Sequence, residues 1–157
     1  MAKGTPATVA LAKAGVSFKL HEYDYDPSAE RIGMQAADAL GVSPSRLLKT
    51  LMAKAGGAVV CVVIASDREV SLKKLAAAAG AKDAAMLPAA EAERITGYHV
   101  GGISPFGQRR RARVFIAQRA LAHATIIVNG GRRGLQIELA PADLVRVLQA
   151  MAVELEA

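Results

Sequence analysis

Residues 59–64 read Val-Val-Cys-Val-Val-Ile, six apolar side chains in a row. A strand sends successive side chains to opposite faces. This run therefore offers no face to water and predicts a central strand, covered on both sides. Just before it stands Gly56-Gly57, and before that the strand-like stretch 47–54. Two glycines between two such runs predict a hairpin of strands 47–54 and 58–65.

The rest of the chain is punctuated in the same way. Thr5-Pro6 reads as an N-cap followed by a first-turn proline, with a helix running to about Ala14 and stopping at Gly15. Residues 17–23 alternate as a strand does. A short helix covers 34–40 and closes at Gly41, and Ser43-Pro44 starts a turn. Ser71 caps a helix that ends at Gly80. A short extended piece ends at Met86-Leu87, and a helix covers 88–95. Strands at 114–117, 125–128 and 135–139 follow, the last two joined by the turn Asn129-Gly130-Gly131. Pro141 opens the last helix, which carries Leu144, Val145, Leu148 and Met151 on one face. Hairpins mixed with helical crossovers do not make a doubly wound sheet. The expectation is one mixed α/β (α+β) domain over 1–157. Its sheet is curled, mixed and mostly antiparallel, or closed into a barrel, with helices around it.

Composition narrows the chemistry. Alanine supplies 33 of the 157 residues, so the apolar fraction of 52% overstates the core. No apolar run approaches the ~20 residues that span a bilayer, which predicts a soluble, cytoplasmic protein with no membrane partner. The single cysteine, Cys61, excludes an internal disulfide and reads as inert packing in its apolar strand. His21, His99 and His123 lie far apart, without metal-ligand spacing. No metal and no organic cofactor is indicated. Oligomeric state is not legible.

The net charge is +6, and its placement says more than its sum. Residues 94–137 contain no acid but eight arginines, among them Arg109, Arg110, Arg111, Arg132 and Arg133. Such a block attracts polyanions, with nucleic acid foremost. The plainer reading is a solvated, arginine-rich face.

Standard hydrolase equipment is absent: no phosphate-binding glycine loop before a helix, no nucleophile elbow, no histidine pair at helical spacing. Three segments remain. Lys49 interrupts the apolar strand Leu47-Leu48-Lys49-Thr50-Leu51, so it either reaches solvent or enters a cavity that needs a cation. Gly101-Gly102-Ile103-Ser104-Pro105-Phe106-Gly107 is either a tight loop or a close approach whose amides serve an oxyanion. Asn129 and the run Gly130-Gly131-Arg132-Arg133-Gly134 are either a hairpin turn with solvated arginines or a polar strand end beside phosphate-binding arginines.

In this order and spacing, these segments resemble the YbaK-type branch of the aminoacyl-tRNA editing family. His21-Glu22-Tyr23-Asp24 and Thr96-Gly97-Tyr98 extend the likeness over nearly the whole chain. The resemblance implies a curled-sheet α/β fold. It also implies a trans-acting deacylase that cleaves cysteine from mischarged Cys-tRNA(Pro), in complex with prolyl-tRNA synthetase. Lys49 matches the family's essential lysine, expected to bind the terminal adenosine and fix the ester. Tyr23 and the Gly101 and Gly102 backbone match pocket positions, and the two glycine amides are expected to hold the carbonyl oxygen. Thr50, Ser104 and Gly130 join the expected substrate contacts, together with Ile32 and Asn129, where the family often has an aromatic residue and a serine. Arg109, Arg110, Arg111, Arg132 and Arg133 are expected to hold tRNA. In the chemistry proposed for the family, the substrate's own thiol attacks its ester carbonyl, which removes the need for a protein nucleophile. Two alternatives stay open: an Ala-tRNA(Pro) deacylase that uses water, and a non-catalytic module that binds tRNA or the synthetase.

Overall fold

The computed structural model describes residues 4–28 and 32–157, with Ile32 and Gly33 described in their backbone alone. Five helices are described: α1 Pro6–Lys13, α2 Ile32–Leu40, α3 Leu72–Ala79, α4 Ala89–Thr96 and α5 Pro141–Leu148. The strands are β1 Lys19–Glu22, β2 Leu48–Ala55, β3 Ala58–Ala65, β4 Ala84–Met86, β5 Arg113–Ala117, β6 Ile126–Asn129, β7 Leu135–Leu139 and β8 Met151–Val153. A 3-10 turn occupies Gln118–Ala122.

Local chemistry sets the boundaries. Thr5 and Thr8 form a reciprocal capping box at the start of α1, with Pro6 in its first turn. Ser71 accepts the Lys74 amide at the start of α3, and Gly80 closes that helix in the left-handed region. Gly56 and Gly57 both take positive φ, +56° and +92°, as the two-residue hairpin between β2 and β3 requires.

The strands form two sheets. One has the order β4-β2-β3-β5-β8, the other β1-β7-β6. β3–β5 and β5–β8 are parallel, and the other four ladders are antiparallel. A parallel bridge, Leu47 to Ile127, joins the sheets at the start of β2. The fold is therefore the expected mixed α/β class with a mostly antiparallel sheet arrangement. Among the described residues it stays open and does not close into a barrel.

β3 is covered on both faces, as its sequence demands. Cys61 and Val63 pack with Ile116, Val128, Ile137 and Phe106 in the main core between the sheets. Val60, Val62 and Ile64 pack on the other side with Phe115 and with Leu75 of α3. Behind the smaller sheet, Ala36 and Ala37 of α2 cover Ile127 and Leu47. Burial of such side chains stabilises the fold by roughly 1.5–3 kcal/mol each.

One sequence expectation fails. Met151 does not continue the apolar face of the last helix. Gln149 takes φ +52° and ends α5, and Met151 starts β8, which pairs with Phe115–Ala117 of β5. No helix among the described residues is long and apolar enough to cross a membrane.

Candidate active site

β4 pairs only with residues 53–55 of β2. The earlier part of β2 is thus left beside a cavity of ≈ 210 Å³. Lys49, Thr50 and Leu51 form one wall. Val100, Gly101 and Ile103 come from the loop after α4, and Asn129 and Gln136 from the ends of β6 and β7. Tyr23 enters just beyond β1. The three segments that looked separate in sequence meet here.

Lys49 sits opposite Ile64 in the β2–β3 register and is half-buried. The cavity, not the open solvent face, is its place. It takes part in none of the ion pairs among the described residues. Its cation is the charge that lines this cavity, which contains no Asp, Glu or His side chain among the described residues.

Tyr23 is set by its backbone, whose N–H donates to the Gly134 carbonyl at 2.9 Å. Burial pushes its phenol above the ordinary tyrosine range; the Gln136 side chain acts the other way, and Tyr25 adds to the rise. The phenol is therefore neutral at pH 7 and can donate a hydrogen bond. Thr50 Oγ1 and Gln136 Oε1 are buried without a partner. A buried polar atom left unpaired costs about 1–3 kcal/mol, so both favour a ligand that supplies donors. Gln136 is the site residue that the sequence reading did not single out. On its strand, Leu135-Gln136-Ile137-Glu138-Leu139, alternation puts it on the water side, but α2 covers that face and leaves it 4% exposed.

The glycine pair divides its work. Gly101 lies at φ +92° and lines the cavity. The Gly102 N–H already donates to the His99 carbonyl at 2.8 Å. Gly102 is needed for packing: a Cβ there would stand 2.8 Å from the Arg133 nitrogen and 2.9 Å from Arg132 backbone atoms. Of the two amides expected to hold an oxyanion, that of Gly102 is already engaged, and Gly101 is the one of the pair that lines the cavity. Asn129 is occupied too. Its Nδ2 donates to the Gly101 and Arg132 carbonyls at 3.2 and 3.3 Å, and its Oδ1 accepts the Gly131 N–H at 2.7 Å. The side chain ties the loop to the turn.

Ser104 and Gly130 are not brought to the cavity. Ser104 is fully buried; its Oγ accepts the Phe106 N–H and its carbonyl accepts from Gln108. Gly130 donates to the Leu135 carbonyl, and its own carbonyl accepts from Thr5 Oγ1. The expected contact at Ile32 falls on a side chain outside the described residues.

The arginines also separate. Arg109, Arg110 and Arg111 are exposed, Arg111 with a hydrogen bond to Gln149. Arg132 pairs with Glu22 at 3.4 Å. Arg133 is exposed as well, but its Nε and Nη2 donate to the Val100 carbonyl at 3.0 and 2.8 Å. Cys61 is remote from this chemistry. It is fully buried in β3, and burial pushes its thiol up to about 12, with only the Gln108 amide opposing. No group of three His, Cys, Asp or Glu side chains able to hold a metal occurs among the described residues.

The profile of the aminoacyl-tRNA editing domain matches residues 26–147. The chain belongs to the aminoacyl-tRNA editing domain family. Among curated relatives it is 36% identical, over 85% of this chain and 83% of the other, to the Enterococcus faecalis protein named "Putative Cys-tRNA(Pro)/Cys-tRNA(Cys) deacylase EbsC". It is 32% identical to a proline–tRNA ligase of Bacillus licheniformis, over 78% of this chain and 22% of that enzyme. Among solved structures, "Crystal structure of a putative trans-editing enzyme for prolyl tRNA synthetase" superposes with a TM-score of 0.85. It covers 97% of this chain and 95% of that one at 20% identity, and so speaks for the fold alone. The editing family thus accounts for the fold and for the activity class, hydrolysis of an aminoacyl-tRNA ester.

Proposed function

We propose that this chain removes cysteine from mischarged Cys-tRNA(Pro), with the substrate's own thiol as nucleophile. One observation carries the reading. The cavity gathers a cation, a backbone donor and a neutral phenol, but among the described residues no thiol, carboxylate or imidazole that could attack or activate water. The name of the Enterococcus relative supports the cysteine assignment, and the ligase match supports the link to proline-specific charging.

The thiolate sulfur attacks its own ester carbonyl carbon, and a carbon–sulfur bond forms. The carbon–oxygen bond to the terminal ribose breaks, and the ribose oxygen leaves with a proton. Water then opens the four-membered thiolactone to free cysteine. A free thiol has a pKa near ~8.5, so some thiolate exists at neutral pH. Holding it beside its carbonyl replaces a collision by an intramolecular step. Lys49 binds the terminal adenosine and fixes the ester. The Gly101 N–H meets the carbonyl oxygen as charge develops. Thr50 and Gln136 accept hydrogen bonds from the substrate's ammonium group, and Tyr23 bounds the side-chain space. Exposed arginines hold the tRNA backbone without reading sequence, and prolyl-tRNA synthetase supplies the choice of tRNA(Pro).

The test compares Cys-tRNA(Pro), its S-methyl derivative, Ser-tRNA(Pro) and Ala-tRNA(Pro) under single-turnover conditions. Only the first should be cleaved rapidly. Equal rates for the free thiol and the S-methyl derivative would exclude the thiol route, and preferential cleavage of Ala-tRNA(Pro) would assign water as the nucleophile.

A further inference from the structure

We infer that Arg133 is a positioning residue that aims the Gly101 amide into the cavity, and that it is not one of the arginines that grip RNA. Its effect on the reaction rests on the proposed role of Gly101; its placement stands on geometry alone.

Arg133 gives two N–H groups, Nε and Nη2, to the single carbonyl oxygen of Val100, at 3.0 and 2.8 Å. The guanidinium also lies over the Tyr25 ring, 5.3 Å from its centroid. The side chain is thereby held at both its hydrogen-bonding edge and its face. The Val100–Gly101 peptide is trans, as are all described peptide bonds. In a trans peptide the N–H points opposite to the C=O. Fixing the Val100 carbonyl toward Arg133 therefore turns the Gly101 N–H away from Arg133.

The surroundings show where that direction leads. Val100 and Gly101 line the Lys49 cavity, whereas Arg133 lines a second cavity with Gly97, His99 and Arg132. This peptide is part of the partition between the two. Its carbonyl faces the arginine, and its N–H is turned to the other side. Asn129 holds the next carbonyl, that of Gly101, at 3.2 Å, so the peptides on both sides of the Gly101 α-carbon are pinned. The fit is close: a Cβ on Gly101 would stand 3.1 Å from Arg133 Nε and 3.2 Å from Tyr25 Oη.

The contact also changes the peptide's electronics. A cation donating twice to a carbonyl oxygen draws electron density through the amide and makes the N–H beyond it a stronger donor. An arginine is suited to this because two of its five N–H groups converge on one side of a rigid plane. Arg109 and Arg110, like Arg133, are exposed and take part in none of the ion pairs among the described residues; what sets Arg133 apart is that two of its N–H groups are spent on a backbone carbonyl.

Two readouts separate positioning from RNA contact. The first is the salt dependence of uncharged tRNA binding, where each lost phosphate contact lowers the log–log slope by about 0.9. Arg110→Ala should lower it by about one such step, and Arg133→Ala should leave it unchanged. The second is the single-turnover deacylation rate at saturating protein. Arg133→Ala should reduce it about tenfold or more, since loss of a whole oxyanion donor costs about 10²–10³-fold. Arg133→Lys, with a point charge in place of the fork, should fall between. The Gly101 amide resonance of the isotopically labelled protein should shift in both Arg133 variants and not in Arg110→Ala. A lowered salt slope with a wild-type saturated rate and an unmoved Gly101 resonance would make Arg133 an RNA contact and overturn the inference. If the wild type cleaves no aminoacyl-tRNA, the proposed function falls, while the slope and the resonance still decide the placement of Arg133.

Discussion

Asn129 reaches back 28 residues and donates through Nδ2 to the carbonyl of Gly101 at 3.2 Å. The same side chain accepts the Gly131 N–H at 2.7 Å and so shapes its own turn. Serine can reproduce the second contact, because its hydroxyl also bonds the backbone two residues on. It is too short for the first. Asn129→Ser should therefore keep near-native thermal stability but lower the deacylation rate. A neutral hydrogen bond has a net worth of about 0.5–1.5 kcal/mol, equivalent to about two- to tenfold in rate. An unchanged rate with lowered stability would make Asn129 a turn former only.

Lys49 is half-buried at the cavity wall and outside all three hydrophobic clusters. Lys49→Ala should leave the unfolding midpoint almost unmoved, within roughly 0.5 kcal/mol of wild type. Its deacylation rate should fall about 10²-fold or more, the loss typical of a group that meets developing or fixed charge in a closed site. Lys49→Arg keeps the charge on a wider planar head and should recover only part of the rate. Single-turnover assays beside urea titrations check all three, and a wild-type rate in Lys49→Ala would move the site elsewhere.

Gly101 stands at φ +92°, where an L side chain is strained, and its neighbours leave a Cβ little room. Gly101→Ala should lower stability by about 1–2 kcal/mol. It should also reduce the saturated rate more than tRNA binding, because the strain is relieved by rotating the amide proposed to meet the ester. Weakened tRNA binding at an unchanged rate would contradict that assignment.

What the sequence made legible was whatever local chemistry dictates. Residues 59–64 could only be a doubly covered strand, and Thr5, Ser71 and Gly56-Gly57 marked their own caps and turn. Met151 was misplaced because helical periodicity carried past Leu148, while Gln149, a residue without glycine's freedom, adopted φ +52° and ended the helix. Gln136 was hidden because strand alternation cannot tell water from a covering helix. The hydrogen bond from Arg133 to a carbonyl 33 residues away was not legible, because charge counting does not see it. The site became visible through segment order, while the division of labour inside it depended on long-range contacts.

Cys61 is the chain's one thiol and lies in the main core with its pKa pushed up to about 12 by burial. It stays protonated at neutral pH and closed to solvent, so an alkylating reagent should label it only as fast as the protein unfolds. Cys61→Ala should keep the deacylation rate and lose about 1–2 kcal/mol of stability for the packing removed. Loss of activity in a folded Cys61→Ala protein would require a protein thiol in the reaction and would refute the substrate-thiol route.

Glu138 ties the joint between the two sheets. His21 Nε2 lies 2.7 Å from its Oε1, and Thr125 Oγ1 and Arg46 Nη2 reach its Oε2 at 2.6 and 2.5 Å. Arg46 also holds the Thr125 carbonyl, and its own carbonyl accepts the Ile127 N–H beside the Leu47–Ile127 bridge. The bonds from Thr125 and His21 depress the Glu138 pKa; burial opposes them, and the charges of Arg46 and His21 add to the lowering. A carboxyl with a depressed folded pKa contributes stability that is complete above its unfolded value, about 4.3, and is lost as pH falls through the folded value. Wild-type stability in urea should therefore decline from about pH 5 downward. Glu138→Gln should be less stable at pH 7, since it leaves the Arg46 charge without its partner, and its stability should fall less steeply with acid. Because Leu47 adjoins Lys49 at the cavity wall, acid should also slow deacylation before global unfolding in the wild type. Parallel stability curves for the two proteins between pH 7 and pH 3 would show that this carboxylate does not hold the joint.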